Sequence, residues 1–164
     1  MTSHSQQEPV LLPIGNSEQI IEVAPSVLKT FSKFTQVSSD SCEAGGLLFA
    51  KFDLPHIHLI KATRPSRADR RSRFRIQFST RRRASIIKRE FRKGLHFIGE
   101  WHTHPEPEPR PSSIDLTSMR NLYALSTHEL NYFVMVIVGN SEIDPQLWVS
   151  IHNSNSFQHL NPSM

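Results

Sequence analysis

The sequence has 164 residues, 37% of them hydrophobic, which is enough for one well-packed domain but not for two of ordinary size. No apolar run approaches the roughly 20 residues of a membrane-spanning helix, and the N-terminus lacks the basic and long apolar stretches of a secretory signal peptide. The formal net charge of +4 conceals an asymmetry, because residues 61–93 hold 14 Lys and Arg against 2 acidic residues while the rest holds 5 against 13.

The first predicted elements follow a polar segment. Residues 1–16 are predicted to be a flexible N-terminal arm, residues 17–152 to be the folded domain and residues 153–164 to be a polar C-terminal tail. A strand is predicted at 18–23, followed by a helix that begins at Ala24-Pro25, where proline suits the first helical turn. The next predicted strands are CEAGGLLFAKF and HIHLIKAT.

The basic segment comes next and contains an arginine-rich loop, RPSRADRRSR, before a predicted strand, FRIQF. Such a segment indicates an acidic partner, either nucleic acid or a protein surface, or else a solvated face. The arginines that are candidates for contacting an acidic surface are Arg64, Arg67, Arg70, Arg71 and Arg73.

A helix is then predicted in STRRRASIIKREFRKG, with Ala84, Ile87, Phe91 and Leu95 facing inward. The remaining elements are a strand in LHFIGEWHTH, a helix in SSIDLTSMRNLYALS and strands in NYFVMVIVG and QLWVSIH. The resulting order, β-α-β-β-β-α-β-α-β-β, predicts an α/β fold with a mixed sheet flanked by helices.

Two histidines end the predicted strand LHFIGEWHTH. Because side chains alternate along a strand, His102 and His104 project from one face, and Leu95, Phe97 and Trp101 are expected to anchor the other. Two imidazoles on one face form a platform for Zn²⁺, and catalytic zinc sites have three protein ligands and one open position. The pair alone is not specific for a metal, and a zinc site would need one further ligand.

Asp115, in the first turn of the next predicted helix, is the candidate third ligand. The spacing Ser112-x-x-Asp115 is also that of a helix capping box, which requires no metal. Capping does not need histidines nearby, however, and the proline-rich stretch PEPEPRP limits the distance between the two groups. The combination favours a metal site.

These residues resemble the JAMM metallopeptidases, also called the MPN-plus or JAB family. Their signature H-x-H-P-x6-S-x-x-D reads HTHP at 102–105 and SSID at 112–115, and their upstream glutamate corresponds to Glu43 in CEAGGLLFA. The resemblance covers residues 18–150. It implies a single JAB domain, a zinc-dependent peptidase activity and a Zn²⁺ ion bound by His102, His104 and Asp115.

Roles for the neighbouring residues follow from this resemblance and from the chemistry of amide hydrolysis. Glu43 is expected to be the general base and acid, and Ser112 to help stabilise the oxyanion. Glu100, a competitor for the role of base, is expected instead to support the site or to pair with an arginine. Cys42, the single cysteine, is expected to point into the core, and it favours a reducing cytoplasm over a secreted location.

Residues 69–83 and 89–116 further resemble the small bacterial JAB proteins of CBASS anti-phage operons, which are deconjugating isopeptidases. The resemblance implies a protein substrate in which the extended C-terminal tail of a cyclic-oligonucleotide synthase is joined to a target protein. The alternatives are a RadC-type JAB protein linked to DNA repair, a deconjugase for a bacterial ubiquitin-like protein and a metal-free MPN scaffold. The scarcity of aromatic residues among the arginines disfavours a nucleic-acid partner.

Overall fold

The computed structural model describes residues 7–38, 40–72 and 76–164. Its elements are β1 (Val10–Pro13), β2 (Ile20–Val23), α1 (Pro25–Lys33), β3 (Gly45–Asp53), β4 (His56–Ala62), β5 (Arg70–Arg71), β6 (Ile76–Gln77), α2 (Thr80–Phe91), β7 (His96–Thr103), α3 (Ser113–Leu125), β8 (Phe133–Val138), β9 (Leu147–His152) and β10 (Phe157–Leu160).

Eight of the strands form one mixed sheet in the order β1-β2-β4-β3-β7-β8-β9-β10. The pairs β2–β4 and β7–β8 are parallel, and the other neighbours are antiparallel. Helix α1 packs on one face, whereas α2 and α3 cover the other. The predicted α/β class, with a mixed sheet flanked by helices, is confirmed.

Both ends of the described chain join the sheet, which differs from the prediction. Val10–Pro13 form an edge strand where a flexible arm is predicted, and Phe157–Leu160 form the other edge where a polar tail is predicted. Each strand contributes a buried leucine to the core around α1. The edges also approach each other, because the Ser163 N–H donates to the Leu11 carbonyl at 2.9 Å. Residues 1–6 lie outside the described residues.

A β-bulge in β7 determines which face each of its residues occupies. Leu48 on β3 pairs with Gly99, but the next residue of β3 pairs with Phe97, so Ile98 is an extra residue. Gly99 has a φ of 154°, and a Cβ there would lie 1.7 Å from the Val134 carbonyl oxygen, so only glycine fits. The prediction that Phe97 and Trp101 share a face is therefore wrong.

Phe97 packs on the side of α2 and α3, whereas Ile98 and Trp101 pack into the core around α1. The bulge thus leaves Trp101 as an anchor behind the histidines and turns Phe97 to their own face. Bulges are frequent beside active sites because they redirect side chains in this way.

Helix α2 buries a different stripe from the one predicted. Ile86 and Glu90 face inward, while Ala84 is exposed and Phe91 is 64% exposed. The prediction is wrong at these positions because the inward carboxylate of Glu90 pairs with Lys61 at 2.7 Å, which a hydrophobic pattern does not reveal.

The arginine-rich stretch contains a short strand where only a loop is predicted. Arg70 pairs with Gln77 and Arg71 with Ile76, so β5 and β6 form a two-stranded ribbon beside the main sheet. The predicted strand FRIQF is present at Ile76–Gln77, and Phe74 falls outside the described residues. Within the described ranges, no helix is long and apolar enough to cross a membrane.

Candidate active site

The two histidines of the HTHP stretch and the aspartate of α3 converge at the C-terminal end of β7. The Nε2 atoms of His102 and His104 are 3.1 Å apart. The carboxylate oxygens of Asp115 lie 3.3 Å from His102 Nε2 and 3.2 Å from His104 Nε2. One ligand atom from each of the three residues lies within 4.8 Å of the others, as a common metal ion requires.

A capping box brings Asp115 to this position. The Ser112 hydroxyl accepts a hydrogen bond from the Asp115 N–H at 3.1 Å, and the Asp115 carboxylate accepts one from the Ser112 N–H at 2.8 Å. The sequence left capping and metal binding as alternatives, and here one carboxylate satisfies the geometry of both. Because the cap fixes the side chain, the third donor is preorganised.

The proline-rich segment between the histidines and α3 packs on the end of β8. The Asn140 N–H donates to the Glu106 carbonyl at 2.9 Å. A Cβ on Gly139 would lie 2.7 Å from the Pro107 carbonyl oxygen, so glycine permits this close approach. The segment thereby connects β7 and α3 along a defined path.

Glu43 lies at the same centre, two residues before β3 begins. Its carboxylate is 3.9 Å from His104 Nε2, and its side chain is 5% exposed. Burial raises the pKa of the Glu43 carboxyl to about 7, with His104 lowering it and Asp115 raising it further. A carboxylate with such a pKa exchanges protons readily near neutral pH.

The histidine and aspartate charges stabilise each other. Burial alone would raise the pKa of Asp115, but hydrogen bonds from His102 and His104 outweigh burial and hold it well below its usual value. Burial lowers the pKa of His104, yet the bond to Asp115 and the nearby carboxylates raise it above the usual histidine value. The negative groups thus create a potential that attracts cations.

The donor set fits Zn²⁺. Two imidazole nitrogens and one carboxylate oxygen are the ligands of many zinc hydrolases, which leave the fourth position open. In the part of the chain that the structure describes, the converging group has only these three members, and Glu43 is outside it. A metal bound there would retain a coordination position for water or substrate.

A cleft of about 720 Å³ opens beside the cluster between β6 and α3. Two exposed apolar residues of α3, Ile114 and Leu125, border it. In its wall, Arg83 and Glu100 form an ion pair at 2.7 Å, which confirms the expected arginine partner of Glu100. Burial raises the pKa of Glu100 to about 7, although Arg83 lowers it.

One expectation about a neighbouring residue needs correction. Cys42 is exposed, so the prediction that it points into the core is wrong. Arg71, a candidate contact for an acidic surface, is exposed, and its Nε also donates to the Glu43 carbonyl at 2.7 Å. Arg64, Arg67 and Arg70 are exposed. Arg73 lies outside the described residues.

Sequence reasoning missed the buried polar contacts behind the site. Thr103, between the two histidines, is fully buried, and its hydroxyl donates to the Gln36 side chain at 2.8 Å. The only local signal is the polar threonine at an inward strand position, which requires a partner. The partner is 67 residues away and could not be identified from spacing.

The chain matches the family described as prokaryotic homologues of the JAB domain over residues 35–151. A Pseudomonas aeruginosa protein named CD-NTase/cGAS isopeptidase is 31% identical over 131 residues, which are 78% of this chain and 82% of that protein. An Escherichia coli protein of the same name is 26% identical over 157 residues, covering 94% of this chain and 96% of its own length.

A solved structure has a similar fold. The solution structure of a Desulfitobacterium hafniense protein aligns with a TM-score of 0.59 at 16% identity, covering 85% of this chain and 88% of that one. At this identity the likeness concerns the fold alone. The sequence match spans β3 to β9, including the histidines, Asp115 and Glu43. The chain therefore belongs to the prokaryotic family of JAB-domain proteins.

Proposed function

We propose that this chain is a zinc-dependent isopeptidase that releases the C-terminal tail of a CD-NTase from target proteins and so regulates anti-phage defence. The observation that carries the proposal is the convergence of His102, His104 and Asp115 beside the buried Glu43 at one end of an open cleft. The relatives named CD-NTase/cGAS isopeptidase, one of them 31% identical, support the substrate class.

In the proposed mechanism, His102, His104 and Asp115 hold the metal. A bound Zn²⁺ would supply Lewis acidity and lower the pKa of a coordinated water toward ~7. Glu43 accepts the proton of the attacking water as its oxygen adds to the amide carbonyl carbon. The carbon–nitrogen bond then breaks, and Glu43 returns the proton to the leaving amine.

Ser112 is the proposed donor to the oxyanion that forms on the carbonyl oxygen. Its oxygen already accepts the Asp115 N–H at 3.1 Å, and the hydroxyl proton is the part of the group that donates to substrate. Because Ser112 caps α3, its position is fixed relative to Asp115. Such preorganised donors stabilise developing charge without rearrangement.

The cleft between β6 and α3 is the proposed binding site for the extended tail. Ile76 and Gln77 line one side, and Ile114 and Leu125 lie on the other. An extended peptide could pair with the short ribbon as an added strand, which is a common recognition mode. The exposed arginines proposed to contact an acidic part of the substrate are Arg64, Arg67 and Arg70.

The other readings receive less support. The relatives are named for a CD-NTase, which favours that substrate over a bacterial ubiquitin-like protein or a RadC-type role in DNA repair. A metal-free scaffold would not need a converging His-His-Asp group with a buried glutamate beside it. The cytoplasm is the proposed location, in keeping with the single free cysteine.

The test combines zinc content by elemental analysis with cleavage of a protein fused to a CD-NTase C-terminus. The wild type is expected to bind one zinc per chain and to cut the fusion. Glu43→Gln should keep the zinc and lose turnover by about 10²–10⁴-fold, since it removes proton transfer. Glu129→Gln, a change at an exposed glutamate outside the cleft, is the matched control and should behave as wild type. Normal turnover in Glu43→Gln would contradict the mechanism.

A further inference from the structure

We infer that Thr103 and Gln36 are positioning residues that fix Glu43 relative to the metal ligands, an inference that rests on the proposed function. Glu43 belongs to no helix or strand, since α1 ends at Lys33 and β3 begins at Gly45. Its buried carboxylate must nonetheless keep a defined distance from His104. Hydrogen bonds to the main chain on both sides of Glu43 supply this constraint.

Thr103 connects the Glu43 segment to the strand that carries the histidines. Its hydroxyl accepts a hydrogen bond from the Ala44 N–H at 2.9 Å, and its own N–H donates to the Ala44 carbonyl at 2.8 Å. Because side chains alternate, Thr103 points away from the metal face, and it is fully buried. It therefore acts on Glu43 from behind the site and not as a ligand.

Gln36 extends this contact to the other side of Glu43. Its Oε1 accepts from the Thr103 hydroxyl at 2.8 Å, and its Nε2 donates to the Ser41 carbonyl at 3.1 Å. The side chain is 1% exposed. One buried amide thus bridges the residue two positions before Glu43 and the strand that ends in the histidines. A buried network of this kind is rigid when every member is satisfied.

The outer side of the segment is held by the β5–β6 ribbon. Arg71 Nε donates to the Glu43 carbonyl at 2.7 Å, and the Glu43 N–H donates to the Ser72 carbonyl. Within the described residues, Thr103 holds the segment to β7 through both main-chain groups of Ala44. Loss of the Thr103 hydroxyl would leave the Ala44 N–H and Gln36 Oε1 without this partner and let the segment shift. A displacement of about 1 Å is enough to slow catalysis strongly.

The decisive variant is Thr103→Val, which keeps the size of the side chain and removes the hydroxyl. Its kcat should fall about 10–100-fold, as typical for groups that orient catalytic residues, with KM and zinc content unchanged. Thr103→Ser retains the hydroxyl and should recover most of the kcat. Gln36→Leu should act in the same direction, and the double variant should be no worse than the poorer single one.

Thr63→Val is a closely matched control. The Thr63 hydroxyl accepts from the Leu47 N–H at 2.8 Å and the Thr63 N–H donates to the Leu47 carbonyl, which repeats the Thr103–Ala44 pattern at a residue within β3. This variant should lose somewhat less stability than Thr103→Val, because Thr63 is only partly buried, and it should keep the wild-type kcat. An equal fall in kcat in Thr103→Val and Thr63→Val would overturn the inference.

A second readout does not depend on activity. In the zinc-free protein, amide hydrogen exchange at Glu43 and Ala44 should be at least tenfold faster in Thr103→Val and Gln36→Leu than in the wild type and in Thr63→Val. Loss of zinc or a change in KM alone would assign Thr103 to the ligands or to substrate binding and overturn the inference. Unchanged exchange would also overturn it. If the wild type itself cuts no fusion, the proposed function fails, and the exchange measurement still decides the positioning role.

Discussion

Two His-x-His pairs occur in the same sheet, one within a strand and one at a strand's C-terminal end, each beside a carboxylate. The β7 pair is His102 and His104, and the β4 pair is His56 and His58. Strand alternation places both members of each pair on one face. A search by local sequence pattern would therefore treat the two pairs alike, yet only the β7 pair belongs to a group of converging metal donors in the described part of the chain.

The β4 pair is partly exposed and its rings lie nearly parallel. The imidazoles stack at 5.8 Å with an interplanar angle of 11°, and their side chains are 45% and 34% exposed. The nearby carboxylate is that of Glu22 on the neighbouring strand β2, at 3.9 Å and 3.4 Å from the two Nδ1 atoms. Although the Glu22 side chain is only 31% exposed, it forms no converging donor group with the two histidines in the described part of the chain.

The β7 pair differs in burial and in the origin of its carboxylate. Its rings are tilted at 57° so that the Nε2 atoms meet, and the side chains are only 8% and 10% exposed. Asp115 comes from a different element and is fixed by its own capping box. A His-x-His pair thus joins a converging group of possible metal donors when a separate, rigid element supplies the third donor.

The strongest test of this comparison removes one histidine from each pair. His102→Ala should lose the bound zinc, from one ion per chain to none, together with all measurable cleavage, because two donors do not retain the ion. His58→Ala should keep full zinc content and activity. Elemental analysis and the fusion-cleavage assay decide both outcomes, and zinc loss in His58→Ala would show that the β4 pair binds metal after all.

A second test separates the two proposed roles of Ser112, which are to cap α3 and to donate to the oxyanion. Ser112→Ala should lower kcat by about 10²–10³-fold through loss of the oxyanion donor, and stability by about 1 kcal/mol through loss of the cap. Ser79 caps α2 in the same way, accepting from the Arg82 N–H at 3.4 Å. Ser79→Ala should show a similar loss of stability and no change in kcat. Denaturant unfolding and steady-state kinetics measure the two effects separately. Matching kinetics in the two variants would leave Ser112 with a capping role alone.

Substitutions in the β5–β6 ribbon, which lies beside the β7 pair, should change the kinetics less. Arg70 should affect KM, whereas Arg71 should affect kcat. Arg70→Glu should raise KM by no more than about fivefold at low salt, since exposed charge pairs contribute ~1 kcal/mol or less. Arg71→Glu should lower kcat by about tenfold, because its Nε contacts the main chain of Glu43. Kinetics at two salt concentrations separate these results. A KM effect from both arginines with an unchanged kcat would make both of them substrate contacts.

The sequence predicted the local parts of the site and not the distant ones. The histidines, Ser112 and Asp115 lie within 14 residues, so strand alternation and capping rules define their relation. The bulge at Ile98 depends on how β7 pairs with β3 and β8, which no local pattern encodes. Likewise β1 and β10 form because leucines of both chain ends complete a core assembled from distant segments.

The smallest effect concerns a third histidine environment, which is buried and has no carboxylate partner among the described residues. Burial lowers the pKa of His152 on β9 to about 4, and its Nε2 is 2.8 Å from the Ser150 hydroxyl. Between pH 6.5 and 4 the unfolded chain binds a proton that the folded chain does not, so this histidine lowers stability as the pH falls, by about 3 kcal/mol near pH 4. Above pH 6.5 His152 is neutral in both states and contributes no pH dependence.

Urea unfolding of the zinc-free protein at pH 7, 5.5 and 4.5 tests this effect. The free energy of unfolding should fall less steeply with falling pH in His152→Gln than in the wild type, with kcat unchanged at pH 7. Equal slopes would mean that His152 gains its proton in the folded state as easily as in water.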